Sequence, residues 1–254
     1  MRSGKLLLVS LIYLLLFLNS GHSIAQSISS PTPLNNTGRV ETDTFISNVH
    51  VPTGRLFFSE TDLAVDSPGT PIIIERSYNS TIYPGPAPIQ AFYSNNPLGK
   101  GWMLSVWMRL SEESDGTVTL LDDNGAIFIF SKTSDGTYVS PPGFYGILSK
   151  ANSKFNLRTK ENLFFTFSSN GYLLSIHNLR GLSLGFAYDA SNRIIEITDT
   201  LGKKTVFTYQ DIRLASIQSP SGFTVSYSYD AQNRLIRKTD TFEMTRILPR
   251  SATV

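Results

Sequence analysis

Residues 182–202 read LSLGFAYDASNRIIEITDTLG, and residues 223–243 read FTVSYSYDAQNRLIRKTDTFE. Residues 162–181 (NLFFTFSSNGYLLSIHNLRG) and 203–222 (KKTVFTYQDIRLASIQSPSG) align with them, so the unit recurs every 20–21 residues. A fixed period in the range of about 20–50 residues is typical of a repeat array, in which each unit buries its apolar face against its neighbours. The sequence therefore predicts an array that forms a surface or a container rather than a catalytic centre.

Each unit opens with the pattern of a β-strand. Leu184, Phe186 and Tyr188 alternate with small residues, and alternate side chains of a strand point to opposite faces. Stacked strand on strand, the units predict two columns of packing aromatics, with carbohydrate stacking on the same rings as the alternative. The first column is Phe165, Phe186, Phe207 and Tyr227, and the second is Phe167, Tyr188, Tyr209 and Tyr229.

A turn rich in Asp and Asn follows the second aromatic, and another strand follows the turn. In that strand Ile194 and Ile197 have opposite parity, so either a bulge intervenes or both faces of the strand are partly covered. A glycine closes each of the first three units, as expected where a turn requires positive φ. These turn glycines are Gly181, Gly202 and Gly222.

The motif resembles the YD repeat of the Rhs family. It is carried by Ala187-Tyr188-Asp189-Ala190-Ser191-Asn192-Arg193-Ile194 and Ser228-Tyr229-Asp230-Ala231-Gln232-Asn233-Arg234-Leu235, each preceded by a glycine and five residues. Upstream, Arg76-Ser77-Tyr78-Asn79-Ser80 and Leu98-Gly99-Lys100-Gly101-Trp102 resemble the domain that precedes the repeats in that family. The resemblance covers roughly residues 40–240. Arg76 and Trp102 are interpreted as a partly buried cation and a packing aromatic.

The resemblance implies a function as well as a fold. Many YD repeats together form a continuous β-sheet rolled into a hollow shell around a C-terminal effector, often a toxin, and related repeats occur in large adhesion proteins. About four units are too few to close such a shell, so the expected partners are a separately encoded continuation of the repeats or an effector. A truncated gene fragment and a stand-alone module both fit the sequence.

The N-terminus has the pattern of a secretory signal. Arg2 and Lys5 precede the apolar run Leu6–Leu18, and Ser23-Ile24-Ala25 predicts cleavage before Gln26. An uncleaved anchor is the alternative, although the run is short for a spanning helix. Cleavage would leave a secreted, periplasmic or cell-surface chain with a formal charge of zero, because two of its 22 basic residues are removed from a net charge of +2. The chain contains no cysteine, and no basic patch favours nucleic acid.

Composition divides the chain into six segments. They are a signal peptide (1–25), a Ser/Pro/Asn-rich spacer (26–36), a β-rich pre-repeat domain (37–140), a loop or irregular first repeat (141–161), the YD-type repeats (162–243) and a tail (244–254). The pre-repeat domain shows short strands and turns and no clear amphipathic helix. Asn-Gly between β-rich runs predicts a hairpin over Thr117–Phe130.

The sequence predicts no catalytic, cofactor-binding or metal-binding residue. His50 and His177 are far apart in the sequence and lack zinc-ligand spacing, and nucleophile-elbow and phosphate-loop motifs are absent from the sequence. The acid pairs Glu112-Glu113 and Asp122-Asp123 sit in turn-like stretches and are interpreted as solvated. Asp122-Asp123 also begins like a calcium loop but lacks the downstream Glu.

The sequence therefore predicts an all-β protein in which a strand-rich N-terminal domain leads into a short, spiralling stack of two-stranded repeats. Two classes of function fit this prediction. The first is an exported structural protein or shell fragment that scaffolds, encloses or binds a partner in a toxin-associated or cell-surface system. The second is a module that binds carbohydrate or a cell surface through exposed aromatics. An enzyme is not expected.

Overall fold

The computed structural model describes residues 55–80 and 86–241, together with the backbone of two short strands at 45–46 and 49–50. The predicted signal peptide, its cleavage site, the spacer and the tail 244–254 lie outside the described residues.

The described residues form three antiparallel sheets in which each strand pairs with its neighbours in sequence. The first sheet contains β1 (Phe45–Ile46), β2 (Val49–His50), β3 (Arg55–Val65), β4 (Ile72–Asn79) and β5 (Trp102–Leu104), and the second contains β6 (Arg109–Glu112), β7 (Val118–Leu121), β8 (Ile127–Lys132) and β9 (Tyr138–Val139). The third, which we call the repeat sheet, contains β10 (Ile147–Ala151), β11 (Lys154–Arg158), β12 (Phe164–Phe167), β13 (Leu173–His177), β14 (Ser183–Tyr188), β15 (Ile194–Asp199), β16 (Lys204–Gln210), β17 (Arg213–Gln218), β18 (Thr224–Tyr229) and β19 (Leu235–Asp240). The all-β prediction is confirmed.

A short helix, α1 (Ala87–Asn95), and a 3₁₀ turn (Ser105–Trp107) are the helical segments among the described residues. The expectation of only strands and turns in this part of the chain was wrong for α1. Its proline-rich start reads as a turn, but proline is tolerated in the first turn of a helix, where the missing N–H has no helical partner. Ile89 then anchors the helix, because its side chain is completely buried.

Two local predictions have direct counterparts in the strand pairing. The Asn-Gly hairpin is confirmed as β7 and β8, with Leu121 paired to Ile127 across the turn. In the stretch where the sequence left a loop or an irregular first repeat open, β10 and β11 pair with each other, and β11 pairs with β12.

A bulge accounts for the change of parity within each repeat. The pairing skips one residue just before the second aromatic of every unit, for example between Ala187 and Tyr188, so that Ile195 is the extra residue on β15. The same shift occurs in the other three units. Because a bulge puts two residues opposite one, it brings Ile194 and Ile197 to the same buried face. The bulge, rather than two covered faces, explains the pattern.

The aromatic columns differ from the prediction in one respect. The repeat contains two strands, so aromatics of consecutive units lie two strands apart and an aliphatic residue separates them. Phe186 pairs with Ile197, and Phe207 pairs with Ile217. The expectation of aromatics stacked on adjacent strands was therefore wrong. Phe186 and Phe207 each lie beside an isoleucine, whereas Tyr227 in the last unit pairs with Lys238.

One contiguous apolar core joins the two parts of the chain. It includes Ile74, Leu104 and Phe128 from the first two sheets, and Phe165 and Ile217 from the repeat sheet. The pre-repeat strands therefore lie against the apolar face of the repeats and bury it.

Candidate functional site: the packed face and last strand of the repeat sheet

The aromatics of the first column lie in the core. Phe165, Phe186, Phe207 and Tyr227 are each at most 9% exposed. In the second column Phe167 is completely buried, and Tyr188, Tyr209 and Tyr229 are partly buried against the same core. The structure therefore brings these eight side chains to one covered face.

The second-column tyrosines link consecutive repeats through their hydroxyl groups. Tyr188 donates to the carbonyl of Leu173, and Tyr209 donates to the carbonyl of Ile194, each at 2.8 Å. Tyr229 repeats the contact with the carbonyl of the equivalent residue, Leu214, at 2.8 Å. Burial raises the pKa of all three phenols, so they stay protonated and remain donors. Each phenol is thus occupied by the backbone of the preceding unit.

The aspartate of the Tyr-Asp pair organises the turn that follows. Asp230 accepts backbone N–H groups from Gln232 and Arg234 at 3.0 and 2.8 Å, and its other oxygen accepts from the Arg234 side chain at 2.6 Å. The Arg234 N–H and guanidinium hold the pKa of Asp230 below its ordinary value. Asp189 makes the same contacts in its own turn. The motif is therefore explained by turn geometry.

The three turn glycines have positive φ. Gly181, Gly202 and Gly222 have φ of 75°, 77° and 89°, and each donates its N–H back to the residue three positions earlier. A Cβ at any of them would meet nothing within 4 Å, so the requirement concerns backbone conformation rather than space. At the opposite end of the repeats, Asn192 and Asn233 take the same conformation with φ of 59° and 60°.

The pre-repeat domain contacts both early and late repeats. The carbonyl of Pro97 accepts the Leu214 N–H at 3.0 Å and the Tyr229 hydroxyl at 3.1 Å. At the other end of the array, the Leu110 N–H donates to the carbonyl of Gly171 at 2.9 Å. A Cβ on Gly171 would lie 1.9 Å from the Leu110 carbonyl oxygen, so this approach requires glycine.

A buried charged cluster ties the N-terminal strands to the last repeat. Arg76 is 6% exposed and contacts Asp62 at 3.0 Å and Glu60 at 2.7 Å, while its guanidinium lies 4.6 Å from the centre of the Trp102 ring. Asp62 also accepts the Tyr227 hydroxyl at 2.7 Å. We call Glu60, Asp62, Arg76, Tyr227 and Lys238 the charged cluster, since Lys238 lies 3.3 Å from Glu60 and 3.7 Å from Asp62.

Arg76 and Trp102 could be singled out from the sequence, but the partners of Arg76 in this cluster could not. Asp62 is the bulged residue of β3, and it reaches Tyr227 across 165 positions of the chain. A local sequence pattern cannot predict a contact between residues so far apart in the chain. Removing one partner of a buried ion pair leaves an uncompensated charge, so a change at Asp62 or Arg76 should destabilise this contact between the two parts of the chain.

The expected solvation of the acid pair in the β7–β8 turn was wrong. Asp122 and Asp123 were expected to be solvated, but their side chains are 0% and 5% exposed. The turn lies beneath the repeat sheet, and Asp123 lines a small cavity with Phe165 and Phe186 of the repeats. A turn pattern predicts backbone conformation, whereas burial depends on what packs over the turn.

The remaining residues that could take part in catalysis or metal binding have ordinary surroundings. His177 stacks on Phe164 with ring centres 4.9 Å apart, and the side chain of His50 lies outside the described residues. Within the described ranges, no three His, Cys, Asp or Glu residues are placed to hold a metal ion. No helix among these residues has the length and apolar character needed to cross a membrane.

The last strand of the repeat sheet, β19, pairs with β18 and has no second neighbour among the described strands. Ile236, its bulged residue, is 63% exposed, whereas the equivalent Ile195 in the interior of the sheet is 37% exposed. Beside β19, a cleft of about 320 Å³ is lined by Trp102, Arg76 and Lys238 among others.

These features define a β-repeat protein whose units are joined by tyrosine hydroxyls and covered by an N-terminal β-rich domain. Residues 47–130 match a family described as a domain of unknown function, DUF6531, and residues 146–245 match the Teneurin YD-shell family. These two matches, one over each part of the chain, support the resemblance to the Rhs/YD-repeat family.

Three curated relatives share 25% identity with this chain over 199 residues. They are named tRNA nuclease WapA from Bacillus subtilis strain 168, tRNA3(Ser)-specific nuclease WapA from Bacillus spizizenii, and tRNA(Glu)-specific nuclease WapA from Bacillus subtilis subsp. natto. The match covers 76% of this chain and 7% of each relative. The chain thus corresponds to a small part of those proteins.

Proposed function

We propose that this chain is an exported structural protein of the Rhs/YD-repeat family that scaffolds or encloses a partner in a toxin-associated or cell-surface system. The observation that carries the proposal is that the eight column aromatics take part in packing and in contacts between repeats. They lie on a covered face, and the second-column tyrosines bind the backbone of the preceding unit. The repeats thus serve to build a continuous sheet. Export rests on the signal pattern of residues 1–25.

We propose that the segments predicted from the sequence correspond to two parts with different structural roles. Residues 37–140 form the domain that covers the packed face, and residues 162–243 form the array. The contacts of Pro97 with Leu214 and Tyr229 support this division, because they anchor the covering domain to two successive repeats.

The proposal gives the chain no catalytic step. The relatives named as tRNA nucleases are matched over 7% of their length, so their activity is not carried over. The test is direct incubation of the purified protein with total tRNA. Intact tRNA is the expected result. Cleavage that co-purifies with the protein and is lost when a buried acid such as Asp123 is changed to Asn would contradict the structural role.

We further propose that β19 is a template for another YD-type strand, supplied by a separately encoded continuation of the repeats or by a second copy of the chain. The carbonyls of Leu173, Ile194 and Leu214 each accept a tyrosine hydroxyl from the following unit. Leu235 holds the equivalent position, and no tyrosine among the described residues donates to its carbonyl. A strand edge with open main-chain groups pairs readily with another strand.

The template is tested by size-exclusion chromatography with light scattering over a range of protein concentrations. Association that increases with concentration is expected, and Ile236→Lys should weaken it by placing a charge at the bulge of β19. Ile195→Lys is the matched control, because it alters the same bulge position inside the sheet. A monomer at all concentrations, or equal effects of the two substitutions, would contradict the template.

Carbohydrate binding is the second class that the sequence left open. The aromatics that would stack on a sugar are those of the packed face, and first-column rings at most 9% exposed favour packing over stacking. A glycan array should therefore give no signal that depends on Tyr188 or Tyr209. A signal lost in Tyr188→Ala, with the fold retained, would support the carbohydrate alternative.

A further inference from the structure

Three carboxylates come together where the pre-repeat domain lies against the repeat sheet. Glu75 belongs to β4, and Asp122 and Asp123 begin the β7–β8 turn. The Ser77 hydroxyl donates to the Asn124 carbonyl at 3.4 Å and ties the strand to the turn. We call Glu75, Asp122 and Asp123 the acid cluster.

The acid cluster borders a small space whose walls are mostly apolar. Glu75 and Asp123 line a cavity of about 40 Å³, whose opposite wall is formed by apolar side chains of β12 to β15, such as Phe165, Ile176 and Phe186. The 3₁₀ turn contributes Ser105 and Val106. The charged or titratable groups that face Asp123 are therefore Glu75 from β4 and Asp122 from its own turn. Among the described residues, none of the three carboxylates forms an ion pair with a cation.

Two carboxylate oxygens in this cluster lack a hydrogen bond. Asp122 Oδ1 accepts the N–H groups of Asn124 and Ala126 at 3.1 and 2.8 Å, which is an ordinary turn contact. Asp122 Oδ2 and Asp123 Oδ1 are buried and have no partner among the described residues. A buried carboxylate without a partner is costly when it is charged and much less so when it carries a proton.

We propose that the acid cluster is a pH-dependent switch that holds the pre-repeat domain firmly on the repeat sheet in acid and loosens this contact as the pH rises to neutral. Each charge would appear at the boundary between the two parts of the chain, beside apolar side chains of the repeats. The cost of these buried charges falls when the two parts of the chain move apart at this boundary and water hydrates the carboxylates.

The direction of the effect follows from the protonation states. Burial, together with the charge of Glu75, raises the pKa of Asp123 from 3.8 to about 7. Burial and the charge of Asp123 also raise the pKa of Asp122 well above its ordinary value. A raised carboxyl pKa means that the folded state binds more protons than the unfolded state. The stability it contributes is full below about pH 3.8 and is lost as the pH rises through about 7.

The switch is tested by urea unfolding of the purified protein at a series of pH values, followed by tryptophan fluorescence. Trp102 and Trp107 both lie in the pre-repeat domain. One titrating carboxyl changes the unfolding constant by up to about 10-fold per pH unit. Because Asp123 is half ionised near pH 7, a rise of about 50-fold is expected between pH 5 and pH 7. Asp123→Asn should abolish most of this rise and should make the protein more resistant to urea at neutral pH.

Asp115→Asn is the matched control, because it makes the same change at a fully exposed carboxylate in the preceding turn. The N–H and hydroxyl of Thr117 lower the pKa of Asp115, in contrast to the raised pKa of Asp123, so the rise between pH 5 and pH 7 should persist in this variant. A rise that survives in Asp123→Asn would overturn the proposal. So would a rise that millimolar calcium abolishes, since the cluster would then be a cation site.

A second measurement needs no substitution. Carbon NMR of the Asp side-chain carboxyls in the intact protein should show Asp123 titrating near pH 7, two or more units above exposed aspartates. The rate constant for acrylamide quenching of Trp107 fluorescence, measured in Trp102→Phe, should rise several-fold over the same pH range. The far-UV circular dichroism should stay constant. An Asp123 carboxyl that titrates below pH 5 would overturn the switch.

Discussion

Replacing Phe207 with alanine tests the packing of the repeats. Phe207 is 3% exposed and pairs with Ile217 on the neighbouring strand, so truncation leaves a cavity in the middle of the array. Phe→Ala substitutions in cores cost about 3–5 kcal/mol. For a chain of this size about 1 kcal/mol corresponds to about 2–4 °C, so Tm should fall by about 6–20 °C.

The control lies one residue away on the same strand. Val206 is 39% exposed on the opposite face, and Val206→Ala should cost less than about 1 kcal/mol. Thermal melts by far-UV circular dichroism give both values, and tryptophan fluorescence follows the pre-repeat domain in the same samples. The two signals should fall together, because one core joins both parts of the chain. Equal, small losses for the two variants would refute the claim that the column aromatics are buried.

Three further predictions concern single positions. Tyr209→Phe removes one hydroxyl bond between repeats and should lower the free energy of unfolding by about 0.5–1.5 kcal/mol in urea titrations; no change would mean that the bond contributes nothing. Gly222→Ala should destabilise by about 1 kcal/mol because φ is 89°, whereas Gly185→Ala, without positive φ, should be tolerated, and the reverse order would disprove the turn assignment. N-terminal sequencing of exported protein should show cleavage after Ala25, and a chain that retains Met1 in membranes would exclude it.

The repeat architecture could be predicted because its signals are local and recur. Alternation indicated the strands, and turns such as Asp189-Ala190-Ser191-Asn192 indicated the hairpins. The opposite parity of Ile194 and Ile197 indicated either a bulge or a strand with both faces partly covered. The pairing of β14 with β15 is what decides for the bulge. The column order was wrong because the aromatics of consecutive units were stacked directly on one another, although the second strand of each repeat lies between them.

Features that depend on the packing of distant segments could not be predicted. The ion-pair partners of Arg76 come from β3, and one of them, Asp62, also contacts Tyr227 of the last repeat. Asp62 has no sequence signal because a bulge positions it. Asp122 and Asp123 have the sequence of an exposed turn, and only the repeat sheet lying over them makes them buried. The nine-residue helix α1 was missed because its prolines resemble those of a loop.

The central claim is that the repeats are structural units whose last strand accepts another strand. Hydrogen exchange read by mass spectrometry at low and high protein concentration tests it by comparing β19 with the interior strand β17. Amides of β17 should be protected at both concentrations, whereas the amides of β19 that do not pair with β18 should become protected only when the protein associates. Strong protection of β19 in a dilute monomer would contradict the claim and would indicate a finished, self-contained module.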